Sequence, residues 1–512
     1  MLQDLQTFPR DRTGDEQKNR RSKLDIELSA ESLRRLPSFP LAIPRLEYLA
    51  PAAAGLLILG LLIHPVGGGM IALALVAAAT VPWAIYCTSR HVTWLLIVFV
   101  LIEAVAASSF AGTDLPQLGA FVRYPLGLLF VLPFISSVWK SGILRKGGFR
   151  DYAIYLIWAL VSVSYSMLPE ISLARAIAAI LPFCALCAMA AEVRSAEDAR
   201  KVMGVLLAGC GVVVAANFLA MFIPAITSWQ PDTESGMLRF TGFLTEPNEI
   251  GNLTLATLGA GVGYWPIASG RKKALAALAM LGALAQGVMA DSRSPIIGIA
   301  IGGAVYLVWQ YRVRGVIAIA ALFAIFYTSA YTIPGMHGYL DRGDVASFTG
   351  RQVAWDFAVQ SVKESPIVGY GYEVEGQILN NHYFPGWDDV WNLGYQSSLH
   401  DGFVSRAVSL GIPALLFWLF FTLRPVLACF LPDRDPWKLR SIAAMAVLPV
   451  LILNFTESVV DFRSFAGLMM AVAWSMLECE RLYAREQAAT RAKVAEASRT
   501  PIVRALQAAH AS

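Results

Sequence analysis

Charge is what this chain has least of. Asp, Glu, Lys and Arg supply 15% of its 512 residues, against about 25% in an ordinary soluble domain. With 56% hydrophobic residues, the chain reads as a polytopic membrane protein and not as a water-soluble enzyme. Cysteine is also scarce: Cys87, Cys184, Cys187, Cys210, Cys429 and Cys479 all lie in apolar spans or on links that read as cytoplasmic, so no disulfide framework is expected. Cys184 and Cys187 form a C-x-x-C inside an apolar helix, where core packing is the better reading. No zinc-type ligand spacing, Walker loop or G-x-S-x-G occurs, and neither a cofactor, a metal nor a nucleic-acid partner is expected. No apolar segment of the kind that marks a cleavable signal falls within the first 45 residues, which carry Arg20, Arg21, Arg34 and Arg35 and read as a cytoplasmic tail. Within that tail, LDIELSAESLRRL reads either as a short amphipathic helix at the membrane surface or as disordered chain. No repeat and no Pro/Gly/Ser linker divides the rest of the chain.

What the chain has instead is apolar runs. A helical span needs about 20 mainly apolar residues. About fourteen candidates are centred near residues 56, 78, 101, 128, 159, 181, 215, 258, 281, 302, 321, 411, 447 and 469. Alternate links are basic: those near Arg90, Lys146, Lys201, Lys272 and Arg314, the link from Arg424 to Arg440, and the tail from Arg481. The intervening links near Gly68, Asp114 and Glu170 carry no positive charge. Lys and Arg mark the cytoplasmic side, so both termini are expected there. The expected organisation is a polar tail over 1–45, a membrane domain over 46–480 and a cytoplasmic C-terminal tail over 481–512. One long polar excursion, 331–399, faces outward within the membrane domain, and a second outer loop runs over 229–249. The fold class is an all-α polytopic membrane protein of about 14 transmembrane helices with one large, partly helical outer loop.

Several arginines break the charge rule by falling on the outer side: Arg123, Arg175, Arg239, Arg293, Arg342, Arg351, Arg406 and Arg463. A mid-membrane arginine costs about 2.5–3.5 kcal/mol on insertion scales, so one inside a span faces protein or water and has a partner. Singly, each is accounted for by snorkelling or by an ion pair with Glu246, Glu249, Glu457 or Asp461. As a group they point to a shared anion, and the guanidinium fork matches phosphate oxygens, which makes a diphosphate the natural candidate. His337, His382 and His400 also fall outside. His400 stands where the loop turns into a span, beside the arginines; such a residue is either an interfacial cap or a proton-transfer group, since imidazole titrates near neutral pH. From Arg351, RQVAWDFAVQSVKES has helical spacing and is broken by Pro366 and the glycines of GYGYE. Asp388 and Asp389 read as a solvated turn, and the Asp433–Asp435 pair lies on the cytoplasmic side, away from the arginines.

RFTGFLTEPNEIG, DSRSP opening a span, TGRQVAWDFAVQSVKESPIVGYG and SLHDGFVSRAVSLGIPALLFW occur in that order. In order, spacing and topology, residues 230–470 resemble the bacterial O-antigen ligase and O-antigen or exopolysaccharide polymerase superfamily. The resemblance implies an inner-membrane enzyme whose large loop is periplasmic and closed by His400. It also implies that Arg293 and Arg351 are the essential periplasmic arginines, with Arg239 a further diphosphate contact. Asp401 stands where many members have Asn or Ser; it either raises the pKa of His400 or caps the helix. Asp401, Arg123, Arg175 and Arg406 are supporting candidates. The implied activity is metal-independent glycosyl transfer from an undecaprenyl-diphosphate-linked glycan to an acceptor glycan. A repeat-unit polymerase is favoured over a ligase acting on lipid A core, and a flippase and a chain-length regulator are expected partners beside membrane lipid. A polysaccharide transporter is the alternative from another class, disfavoured by the absence of repeats and of clear mid-membrane charges.

Overall fold

The computed structural model describes residues 92–107, 127–128, 131–132, 134–223, 228–231, 238–244, 246–332, 351–383, 399, 401–431, 436–455, 457, 462 and 464–511. The described chain is helical apart from one hairpin. Its helices are α1 (Trp94–Ala106), α2 (Gly147–Ser162), α3 (Pro169–Glu192) and α4 (Ala196–Ala220), then α5 (Pro247–Tyr264), α6 (Gly270–Met289), α7 (Arg293–Tyr311) and α8 (Val313–Thr332). The loop region supplies α9 (Arg351–Glu364) and α10 (Glu375–Tyr383). The bundle ends with α11 (Gly402–Phe430), α12 (Arg440–Leu453) and α13 (Phe465–Ala511).

Helix starts follow local chemistry. Pro169 and Pro247 open α3 and α5, where a missing N–H costs nothing. Ser195 caps α4 by accepting from the Asp198 N–H at 3.1 Å. Helix α9 begins at Arg351 and ends before Pro366, as its spacing predicts.

Helices α3, α4, α6 and α11 are long and apolar enough to cross a membrane, by length and composition. Shorter apolar helices cover Trp94–Ala104, Pro295–Tyr311, Val313–Ile325 and Arg440–Leu453. The candidate spans near residues 56 and 78 lie outside the described residues. Large apolar side chains such as Leu278, Leu281, Phe323 and Phe420 are exposed. In water they would form an aggregation surface; lipid is the solvent that suits them.

The core centres on α13, which packs against α2, α3, α4, α5, α11 and α12. From Phe465 to Cys479 its side chains are almost all buried, whereas those from Arg485 to Glu496 are exposed. The helix then runs on to Ala511, so the helix that carries the predicted last span continues without a break into the segment expected as a tail from residue 481. Small residues let neighbours approach: a Cβ on Gly259 would stand 3.0 Å from the Met445 carbonyl oxygen in the π-helical turn Ala443–Val447 of α12. Cys184 and Cys187 sit in α3 as free thiols, Cys187 fully buried in the core, as the packing reading holds.

Two features go beyond the sequence reading. The loop expected outside over 229–249 contains a short antiparallel pair, β1 (Trp229–Pro231) and β2 (Leu238–Phe240), with Trp229 opposite Phe240 and Gln230 opposite Arg239. The Trp229 and Phe240 rings meet edge to face at 5.4 Å, an aromatic cross-strand contact that helps hold the pair.

The second is a break inside α11. Gly411 adopts φ 83°, ψ 167°, outside the helical region. In an unbroken helix the Ile412 N–H would reach the Val408 carbonyl, and Pro413 has no N–H to offer Ser409. Here Ile412 donates instead to the Pro366 carbonyl at 2.8 Å. The two released carbonyls are taken by the GYGYE segment: Tyr370 N–H donates to Val408 O at 3.0 Å and Gly371 N–H to Ser409 O at 2.9 Å. A Cβ on Gly411 would collide with the Ile367 carbonyl. Residues 366–373 thus lie as a strap across the broken helix.

Gly411→Ala should therefore destabilise the protein by at least about 1–3 kcal/mol from backbone strain alone, with the clash added. Gly303→Ala, whose new Cβ would meet only the Met445 sulfur at 3.8 Å, should be near neutral. Thermal midpoints of the two purified variants check this; equal midpoints would contradict it.

Candidate active site

The strap brings a buried polar cluster to the first half of α11. Its far side is fastened to the turn between α2 and α3. Met167 N–H donates to Tyr370 O at 3.1 Å, the Tyr165 hydroxyl to Val368 O at 3.0 Å, and Ser172 Oγ to Tyr372 O at 3.2 Å. Tyr372 N–H donates to Ser162 Oγ at 3.0 Å. Under the strap lies Arg406, 4% exposed. Its Nη1 donates to the Tyr155 hydroxyl at 2.5 Å and to that of Tyr372 at 3.5 Å. Its guanidinium stands over the rings of Tyr155, Tyr372 and Trp418 at 5.4–5.7 Å. Cation–π contacts of this kind are worth about 2 kcal/mol or more once desolvated. Arg406, a supporting candidate for anion binding, is therefore enclosed by protein.

Two carboxylates complete the cluster. Glu373, at φ 56°, is 5% exposed and its N–H donates to Ser409 Oγ at 3.1 Å. Ser409 Oγ in turn donates to Glu375 Oε2 at 2.6 Å. Burial holds the Glu375 carboxyl above the usual carboxylate range, helped by the negative charge of Glu373; Ser409 and the nearby Arg175 oppose the shift without cancelling it. Arg175, in α3, thus belongs to this cluster.

A second group gathers at the starts of α5, α7 and α11. Arg293 opens α7, and its Nε lies 3.7 Å from Asp291 Oδ1. Asp291 has a left-handed φ of 50°. Arg239, on β2, donates from Nε to Ala290 O at 3.0 Å and from Nη2 to Asp291 O at 3.2 Å. A cation on the last carbonyls of α6 is favourable to that helix end. Arg239 and Arg293 are thus brought to one turn, and Asp291, absent from the acids expected as partners, is what they share. The second turn of α5 lies against that turn: a Cβ on Gly251 would collide with Ser292. Asn248, in the first turn of α5, donates to Glu457 Oε1 at 3.4 Å. Asn454, three residues before Glu457, accepts the Gly402 N–H at 2.8 Å and so ties the start of α11 to the same region.

Asp401 caps α11, its Oδ1 accepting from Phe403 N–H at 2.9 Å and Val404 N–H at 3.0 Å. The cap, one of its two expected roles, is thus present. Burial raises its carboxyl pKa. Ala354, one turn after Arg351, shares a small buried cluster with Leu399, Val408 and Leu379. Helix α9 is thereby packed along the start of α11. His400 and Arg123 lie outside the described residues, as do Arg342, Arg463, the Asp388–Asp389 and Asp433–Asp435 pairs and the side chain of Arg351. Among the described residues no three of His, Cys, Asp and Glu come together to hold a metal ion.

Tyr155, Tyr372, Ser409 and the two glutamates were not among the residues the sequence singled out. The available signal was the need of Arg406, inside an apolar span, for partners. Nothing in the sequence says that those partners stand 251 and 34 positions away.

Architecture and site describe a mostly helical protein suited to a membrane, with cationic groups gathered at helix ends beside a loop strapped onto a broken helix. Residues 258–419 match the family described as O-antigen ligase. That stretch, from the middle of α5 to the middle of α11, is similar to this family, which supports a glycan-transferring membrane enzyme. It takes in Arg293, Arg351, His400, the strap and Arg406, and leaves out Arg239 and Arg175; the resemblance drawn over 230–470 is shown over this narrower range. No curated protein matches the chain.

The Glu375 assignment has a pH consequence. A carboxyl whose pKa is raised on folding favours the folded state most in acid, and that contribution is lost as pH rises through the folded-state value. Glu375→Gln keeps an acceptor for Ser409 and removes the charge. Its thermal midpoint should therefore exceed the parent's by a few degrees in mild alkali, and the gap should close in acid. A gap that does not change with pH would contradict the raised pKa.

Proposed function

We propose that the chain is a periplasm-facing glycosyltransferase of the bacterial inner membrane. It would take an oligosaccharide or polysaccharide from an undecaprenyl-diphosphate carrier and pass it to an acceptor sugar. One observation carries the reading: inside the family-matched stretch, the starts of α7, α9 and α11 bear Arg293, Arg351 and the segment next to His400, and contacts through α5, Asn454 and Leu399 draw these starts toward one another.

In the proposed step an acceptor hydroxyl attacks the anomeric carbon that bears the diphosphate. The new C–O bond forms as the bond to the diphosphate oxygen breaks. His400 orients the hydroxyl and takes its proton. Arg293, Arg351 and Arg239 stabilise the charge that grows on the leaving diphosphate, the part a divalent ion plays in other transferases. In-line attack inverts the anomeric centre. Asp401, by capping α11, fixes the start of the helix that follows His400 in sequence. Arg406 and Arg175 act through the strap, and Arg123 is a further candidate on the same side.

About fourteen spans, two cytoplasmic tails over 1–45 and 481–512, and an outward loop over 331–399 complete the reading. Contacts between elements support it. Links assigned to the cytoplasm meet each other, as in the 3.2 Å pair of Lys146 with Glu486. Links assigned outward also meet each other, as in Met167 with Tyr370. A repeat-unit polymerase, working with a flippase and a chain-length regulator, is favoured over a ligase onto lipid A core by the number of spans and the polar N-terminal tail.

His400→Ala should lower transfer by about 10²–10⁴-fold, with membrane insertion unchanged. Full activity in that variant would remove the histidine from the mechanism. In cells, deletion that leaves single carrier-linked repeat units fits a polymerase, whereas long carrier-linked chains fit a ligase.

A further inference from the structure

At the opposite end of the bundle, α2, α11 and α13 gather an uneven, partly buried charge cluster. Asp151, its side chain 6% exposed, holds two arginines. Arg150 donates to Oδ1 from Nε at 3.0 Å and from Nη2 at 2.8 Å. Arg424 Nη2 lies 2.9 Å from Oδ2. Glu478, fully buried, is already occupied: Arg481 grips both its oxygens and Gly148 N–H donates to it at 2.7 Å, with Arg424 more distant at 3.9 Å. Three guanidiniums therefore face two carboxylates. The excess charge falls on the Arg150–Arg424 pair, and the buried Nε of Arg424 has no hydrogen-bond acceptor among the described residues. A buried donor left without an acceptor is costly.

The surface next to this pair is apolar and exposed. One turn from Arg150 along α2 stands Ile154, followed by Ile157 at 59% exposure. One turn from Arg424 along α11 stands Phe420, 58% exposed, with the Arg424 guanidinium 5.3 Å above its ring. Leu416 continues that stripe. Two cations at the head of an apolar seam between two packed helices match a molecule with an anionic head and hydrocarbon tails.

We propose that Arg150 and Arg424 bind the phosphate of an anionic phospholipid, whose acyl chains lie along Ile154, Ile157, Phe420 and Leu416. The phosphate supplies the anion that Asp151 alone does not, and guanidinium forks suit it. On the charge pattern of the links this end faces the cytoplasmic leaflet, where anionic lipids attract basic groups. The site is remote from the proposed diphosphate site and does not depend on the transferase reading.

The full-length protein in nanodiscs tests it. Thermal midpoints are compared with and without phosphatidylglycerol in a phosphatidylcholine background, and lipid retained through native mass spectrometry is counted. Phosphatidylglycerol should stabilise the parent and remain bound. Arg150→Gln, a change at a side chain that is 59% exposed and so tolerable to the fold, should weaken retention by about fivefold, the worth of one basic residue near an anionic surface. Arg150→Lys should fall between. Arg271→Gln, on another basic link, should leave retention unchanged. Equal retention by the parent and Arg150→Gln, or an equal loss in Arg271→Gln, would overturn the site. Stabilisation by inorganic phosphate alone to the same extent would show that it takes free phosphate and not a lipid head.

Discussion

The half of the bundle that carries the strap depends on one interruption. Gly411 and Pro413 end the hydrogen bonding of α11 partway along, and two backbone carbonyls are left inside the bundle. In a low-dielectric interior such groups must find donors. They find them in Tyr370 and Gly371, and the loop is thereby drawn down onto the helix. Once there, Tyr372 closes over Arg406 and Glu373 comes beside Ser409. The break, the strap and the buried arginine are a single arrangement. Each member leaves an uncompensated polar group if another is removed.

This arrangement gives the loop a fixed base close to the proposed chemistry. Helix α9, which begins at Arg351, packs along α11 between its start and the break. Capping by Asp401 and the bond from Gly402 to Asn454 fix the start of α11 itself. The chain next to that junction is thereby tied to a fixed helix end. Catalytic groups on loops need such a rigid support to be held in geometry. The bundle also separates two kinds of arginine. Arg406 is consumed by structure, whereas Arg293 is about a third exposed and stands at a helix start.

Much of this was legible in the sequence. Composition alone points to a membrane protein, and hydropathy locates helices at every predicted centre from residue 159 onward. Helix α9 was readable from its spacing and its proline stop, the cap at Asp401 from residue type, and the superfamily from four short motifs. The sequence could not show which groups meet across long separations. Tyr155 reaches Arg406 over 251 positions, and Asp291 serves both Arg239 and Arg293 because a left-handed turn aims it there. The strap was invisible for a related reason. GYGYE reads as a loop breaker, and only the freed carbonyls of α11 give it a partner. The hairpin at Trp229–Phe240 is too short for a strand pattern to register.

The central claim is that the chain turns over a lipid-linked glycan. The most direct measurement is reconstitution of the purified protein in liposomes with an undecaprenyl-diphosphate-linked oligosaccharide and a glycan acceptor, in buffer containing a metal chelator. The predicted result is longer or transferred glycan, release of undecaprenyl diphosphate, and inversion at the anomeric carbon. Movement of the carrier-linked glycan across the bilayer with no bond made or broken would contradict it.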